Sequence, residues 1–214
     1  MDTKRKIFNL IILDESGSMQ SIKQATIEGF NETVQTIKGT QALHPEQEQY
    51  ITLVTFNGMG TKTLLSNQPA AELSELDATR YHPSSNTPLY DAMGFAFQRL
   101  RTQLELVQDY HVLVTIFTDG QENASKEFNG TTIKSLIEEL KNQQWTFTYI
   151  GANHDVERFA HHISIQNTIS FESNAESVHQ SLVQERSART RYYQNRREGK
   201  PSGEDYFAGD KDGE

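Results

Sequence analysis

Cysteine is missing from all 214 residues. Disulfides and thiolate metal sites are thereby excluded, and the composition suits a reducing compartment. Long apolar runs are missing as well: no window approaches the roughly 18 consecutive apolar residues that a membrane span requires. The N-terminal MDTKRKIFNLIILDES has basic residues followed by an apolar stretch, but that stretch covers only 7–13, is interrupted by Asn9 and is followed by no small-residue cleavage site. It reads as a first strand and not as a secretory leader, and the protein reads as cytoplasmic. Cationic residues are in deficit, with 20 Lys and Arg against 29 Asp and Glu and a net charge of −9, which argues against wholesale nucleic-acid binding. No internal repeat or low-complexity tract is present.

What is present begins with IILDESGSM at 11–19. An apolar strand ends directly in a carboxylate, Asp14, followed by hydroxyls at alternate positions, Ser16 and Ser18. A small hard cation such as Mg2+ takes six oxygens at short, near-octahedral distances and keeps some positions for water or another oxygen. The turn after the strand is expected to curl these side chains toward one point above the carboxyl edge of the sheet, where open α/β sheets bind ligands. Gly17 is expected to supply the backbone freedom for that bend. Two further segments aim at the same place. The run HVLVTIFTDG at 111–120 is a second buried-strand pattern ending in Asp119, and SSNTPLYDAM at 84–93 puts Thr87 just before a proline suited to the first turn of a helix.

With these residues in hand, the chain resembles the von Willebrand factor type A, or integrin I-like, domains. Their metal-ion-dependent adhesion site reads Asp-x-Ser-x-Ser, then a threonine, then an aspartate, on three successive loops. Asp14, Ser16 and Ser18 match the first element, Thr87 the second in a Thr-Pro-Leu context common in bacterial members, and Asp119 the third in Thr-Asp-Gly. The resemblance covers nearly all of 5–185. It implies metal ligation by Asp14, Ser16, Ser18, Thr87 and Asp119, with Mg2+ or Mn2+ as cofactor. It also implies a partner protein presenting Asp or Glu to the ion, and an interaction module in place of an enzyme. An EF-hand is excluded, because the positions that need amides, glycine and glutamate hold Ser16, Ser18, Met19 and Ala25.

The alternation of patterns predicts strands over 7–13, 50–56, 62–65, 112–118, 146–151 and 168–171, with helices over 21–38, 88–106, 133–142, 156–162 and 175–197. Asn57-Gly58 is a hairpin signal, so the 62–65 strand is expected at an antiparallel edge. Right-handed crossovers then give a doubly wound, mostly parallel six-stranded α/β sheet with helices on both faces. The family resemblance implies the order 3-2-1-4-5-6, which sets Asp14 and Asp119 at the ends of neighbouring strands. Residues 1–198 read as one domain. The acidic, glycine-rich 199–214 reads as a tail, flexible unless docked, with Tyr206-Phe207 as a candidate dock.

Other residues have less specific readings. Glu15 is expected to project away from the ion toward the rim, where Glu122 and Asn123 also lie by position. Asp91 suits the positive end of its helix. The cluster NHDVERFAHH at 153–162 invites a zinc reading but lacks His-Glu-x-x-His, and Asp155 explains itself as a helix cap. The arginines of the last helix, interleaved with Tyr192 and Tyr193, fit either a solvated helix end or an acidic partner. A metal-dependent hydrolase or phosphotransferase is the alternative function. It would want Asp-x-Asp at the first strand, where this chain has Ser16, and none of the Walker lysine, Gly-x-Ser-x-Gly or paired-histidine patterns appears. Self-assembly through an acidic residue of a second copy is also open.

Overall fold

Strand β1 (Arg5–Asp14) is the centre of the molecule, and its alternating side chains divide the core in two. Ile7, Ile11 and Leu13 enter one apolar cluster. Phe8, Leu10 and Ile12 enter the other on the opposite face. A strand buried on both sides must be covered by helices on both sides, and successive parallel strands need crossovers to supply them. The computed structural model, which describes residues 4–73, 75–152, 155–200 and 205–207, shows this arrangement.

β1 is flanked in parallel by β2 (Gln47–Asn57) and β4 (Tyr110–Thr118), with Leu13 opposite both Thr55 and Phe117. β5 (Trp145–Ala152) and β6 (Asn167–Phe171) extend the sheet in parallel on the far side. β3 (Gly60–Pro69) closes the other edge antiparallel to β2, so the six strands stand in the order 3-2-1-4-5-6. The face of Ile7 and Ile11 is covered by α1 (Lys23–Leu43) and α5 (Ala175–Arg197). The other face is covered by α2 (Leu89–Leu104), α3 (Gly130–Lys141) and α4 (Val156–His162).

The departures from the sequence reading are local and have identifiable causes. α1 starts at Lys23 because residues Gly17–Ile22 form a 3-10 helix first. α3 starts three residues early because the Asn129 side chain accepts from the Thr132 amide at 3.0 Å and caps it. β3 runs to Pro69 although its residues are mostly polar, since an edge strand with one solvated side needs little apolar content. Register shifts near Leu53 let it follow β2. Asp155 caps α4, accepting from the Arg158 amide at 3.1 Å, as expected. Among the described residues no helix is long and apolar enough to cross a membrane.

Most of the 199–214 segment lies outside the described residues, but the Tyr206-Phe207 pair is buried. The Tyr206 amide donates to Asn167 Oδ1 and its hydroxyl to Glu185 Oε1, both at 3.1 Å. Its ring lies 5.8 Å from that of Tyr192.

Candidate metal centre

Because β1 and β4 are neighbours in register, the residues that follow them emerge side by side at the carboxyl edge of the sheet. Asp14 is fully buried there. Its Oδ1 accepts from the Ser16 amide at 2.7 Å and its Oδ2 from the Thr118 hydroxyl at 2.5 Å. The Thr118 oxygen in turn accepts from the Gly120 amide at 3.1 Å, so the end of β4 and the turn beyond it are tied to the end of β1. The Ser16 and Ser18 hydroxyls are 3.2 Å apart, and Ser18 donates to Asp119 Oδ1 at 2.5 Å. Thr87 arrives from the third connection. A methyl built on Gly120 would meet the Thr87 hydroxyl oxygen at 3.3 Å and that of Ser18 at 3.6 Å, so the two hydroxyls flank one glycine. Asp14, Ser16, Ser18, Thr87 and Asp119 therefore gather at one place, with Ser18 exposed at the mouth and the other four buried.

Burial makes the charged form of Asp14 costly. Burial, opposed in part by the hydrogen bonds from Thr118 and Ser16 and reinforced by the charge of Asp119, pushes the Asp14 carboxyl up to about 6. Every side chain in the cluster offers oxygen and none offers nitrogen or sulfur, a donor set that suits a hard divalent ion. Two carboxylates and three neutral hydroxyls are the acceptors; among the described residues no group of three or more His, Cys, Asp or Glu side chains is placed to hold a metal. In the 153–162 cluster, His161 and His162 are exposed on α4, and His154 lies outside the described residues.

The von Willebrand factor type A domain family matches residues 10–185. The chain belongs to that family. Family members are generally interaction modules and often mediate metal-dependent protein–protein contacts. Similar solved structures include a von Willebrand factor type A protein from Catenulispora acidiphila, with 13% identity and a TM-score of 0.60 over 87% of this chain and 43% of that one. The SpRpn10 VWA domain has 15% identity and a TM-score of 0.52 over 83% and 93% of the two chains. The manganese-loaded Plasmodium vivax TRAP protein has 15% identity and a TM-score of 0.50 over 85% and 72%. The chain thus spans less than half the length of the Catenulispora protein. No curated protein matches the chain.

Within this VWA domain Glu15 and Gly17 act otherwise than the sequence reading expected, while Glu122, Asn123 and Asp91 carry further bonds. Glu15 is not at the rim: it is fully buried, with Oε1 accepting from the His82 amide at 2.6 Å and Oε2 facing Lys62 Nζ at 3.4 Å. It fastens the 82–87 loop to the end of β1, since the Ser84 amide also donates to the Glu15 carbonyl at 2.9 Å. Gly17 has no positive φ. Its amide donates to the Ser85 carbonyl at 2.9 Å, and a methyl there would meet the same oxygen at an ordinary contact distance of 3.4 Å. Asn123 and Glu122 are scaffolding. Asn123 Oδ1 accepts from the Thr87 amide at 3.0 Å, and its own amide donates to the Thr87 carbonyl at 3.2 Å. Glu122 accepts from the Tyr90 amide at 2.8 Å at the start of α2. Asp91 accepts from the amides of Lys126, Glu127 and Phe128 at 2.8–2.9 Å, binding the β4–α3 loop to α2.

Thr118 and Tyr81, whose hydroxyl donates to the Asp14 carbonyl, were not singled out from sequence. Thr118 carries a readable signal in hindsight: next to Asp119 at a strand end, an alternate polar position facing the neighbouring carboxylate. Tyr81 carries none, because nothing local marks a loop residue that reaches back to β1.

The tip of the β2–β3 hairpin presses on the Thr87 loop. A methyl on Gly58 would lie 2.3 Å from the Ser85 hydroxyl and 3.0 Å from the Asn86 amide nitrogen, and the second of these is backbone that cannot rotate aside. Gly58→Ala is expected to destabilise by roughly 1–3 kcal/mol through this overlap. A thermal melt checks it, and an unchanged midpoint would mean that hairpin and loop are not held against each other.

Proposed function

We propose that this VWA domain is a metal-dependent protein-interaction module acting as a cytoplasmic adaptor. Asp14, Ser16, Ser18, Thr87 and Asp119 would hold one Mg2+ or Mn2+, and an Asp or Glu side chain of a partner would complete its coordination. The observation that carries the reading is the convergence of oxygen side chains from three separate connections on two buried carboxylates, Asp14 and Asp119, at one edge of the sheet. The similarity to a VWA structure loaded with manganese supports the choice of a divalent ion. When bound, the ion supplies a Lewis-acidic site with room for an external anionic oxygen. The protein's part is to fix the ligand oxygens and keep water away: Thr118 orients Asp14, Asn123 holds Thr87, and Glu15 anchors the loop between them. Direct coordination across an interface is strong where the rim excludes solvent.

Partner capture is expected to require metal and to be lost in Asp14→Ala and Asp119→Ala, with the fold retained. Affinity capture from lysate in Mg2+, repeated in EDTA and with both variants, tests this alongside the circular dichroism of each variant. Capture in EDTA as strong as in Mg2+ removes the metal bridge. A metal-dependent phosphatase or nuclease activity abolished by Asp14→Ala would replace the adaptor reading with the hydrolase one.

A further inference from the structure

A second candidate site lies at the opposite end of the sheet. β1 runs from Arg5 to Asp14, so the two ends are about 30 Å apart at the usual rise per residue. There a cavity of about 610 Å³ is lined by Arg5 at the start of β1, Asp109 and His111 at the start of β4, Gln144 before β5, and Arg196 and Lys200 at the end of α5. Nothing in the metal-centre reading uses it.

Its polar groups are unusually poorly satisfied. The Arg5 Nε, Arg196 Nε and His111 Nδ1 atoms are all buried and have no hydrogen-bond partner among the described residues. Arg5 has a long ion pair to Asp109, 3.8 Å, and gives one terminal nitrogen to the Arg196 carbonyl. The Arg196 guanidinium has no acidic partner among the described residues and lies 5.1 Å over the Tyr192 ring. Buried donors are normally paired, so the two unpaired guanidinium Nε groups beside one cavity call for an acceptor. Apart from the Arg5 bond to the Arg196 carbonyl, the end of α5 does not use up these charges. The amides of Glu198, Gly199 and Lys200 already reach back to the carbonyls of Gln194, Arg196 and Asn195. The local field is positive: His111 is held down at about 4 by burial and by the neighbouring Arg196 and Arg5 charges. The backbone around the cavity is also constrained, with Asp109, Gln144 and Gly199 all at positive φ (51°, 68° and 70°). Strain of this kind in non-glycine residues clusters at functional sites.

We infer that this cavity binds a phosphate dianion, either free or as a small monoester, with Arg196 as its principal contact and Arg5 and Lys200 beside it. A guanidinium fork pairs with the tetrahedral oxygens of phosphate in a way a single ammonium cannot. In a chain of net charge −9, a dianion has reason to settle at a local excess of arginine. The volume falls in the range of about 300–1,000 Å³ typical of small-molecule sites, leaving space beyond the phosphate for an organic group against the half-buried Tyr110.

The test is calorimetric titration of the full chain with inorganic phosphate and with AMP, in EDTA throughout so that no cation at the other end of the sheet takes part. One ligand per chain is expected. Arg196→Gln should weaken it by about ten- to a hundredfold, and Lys200→Gln, at an exposed side chain already paired to Glu198, should weaken it less. Unliganded melting points of both variants confirm that they fold. Tighter binding of AMP identifies an ester ligand, and equal affinity identifies free phosphate. Absence of heat and of any melting shift with both compounds overturns the inference, as does binding that neither variant alters.

Discussion

Glu185→Ala should lower the stability of the domain by about 3–5 kcal/mol, the cost of leaving a buried charge without its counter-ion. Arg189 on α5 is 0% exposed. Its Nε and Nη2 meet Glu185 Oε1 at 2.8 and 2.7 Å, Nη2 also reaches Thr115 Oγ1 at 2.7 Å, and Nη1 reaches Asn9 Oδ1 at 2.8 Å and the Tyr193 hydroxyl at 3.0 Å. Burial opposes the charge, but Glu185 and the surrounding hydroxyls outweigh it, so the guanidinium remains protonated. Removing Glu185 leaves the charge with neutral acceptors only, and it also removes the acceptor of the Tyr206 hydroxyl. For a chain of this size the loss corresponds to a drop in melting temperature of roughly 6–20 °C. Glu185→Gln, which keeps a hydrogen-bond acceptor, should fall between. A double replacement of Glu185 and Arg189 by apolar residues of similar volume should recover much of the loss, since well-packed apolar substitutes for buried ion pairs are often neutral or better. Urea melts of the three variants decide the matter, and a cost below about 1 kcal/mol for Glu185→Ala would mean that solvent reaches the pair.

This network is also where the sequence was least legible. Asn9 reads as a polar interruption of an apolar strand, Glu185 as an isolated acid in a cation-rich stretch, and Arg189 as one of several solvated helix arginines. In the fold Asn9 points to the α1 and α5 side of β1, between Ile7 and Ile11, and becomes an acceptor for both Arg189 and the Tyr193 hydroxyl, at 2.8 and 2.6 Å. The partners lie 180 and 184 residues away, so no local pattern contains the pairing. The strand order was implied by the family resemblance, but the positions of the five oxygen residues were legible for the converse reason. Each residue sits at the end of a strongly apolar strand or at a helix start, positions that periodicity locates, and right-handed crossovers bring those positions to one edge. Glu15 was misread because its partners, the His82 amide and Lys62, lie far along the chain. The Glu15 amide still donates to the Phe56 carbonyl at 2.8 Å, and its side chain is buried because the 82–87 loop, distant in sequence, folds over it and donates the His82 amide to it.

Asp14→Asn is expected to make the metal-free domain more stable at neutral pH while removing its response to metal. Burial raises the Asp14 carboxyl from 3.8 to about 6, so between these values the native state holds a proton that the unfolded chain has lost. Stability must then fall as pH rises through that window, and above it the full penalty of a desolvated carboxylate applies, on the order of 3 kcal/mol for a shift of about two units. An asparagine avoids that penalty with little rearrangement. Its oxygen can still accept from the Ser16 amide, and its nitrogen can donate to Thr118, whose own proton turns to the Gly120 carbonyl already 3.1 Å away. The metal-free variant should therefore gain about 1–3 kcal/mol, or roughly 2–10 °C, near neutral pH and nothing near pH 4. With Mg2+ the order should invert, because only the native carboxylate form gains the stabilisation that a bound ion confers by mass action. Thermal melts across pH, with EDTA and with Mg2+, measure both halves. A variant less stable than the parent in EDTA at neutral pH would show that Asp14 is there for the fold, whereas the expected inversion identifies a carboxylate retained at the expense of stability for the cation it holds.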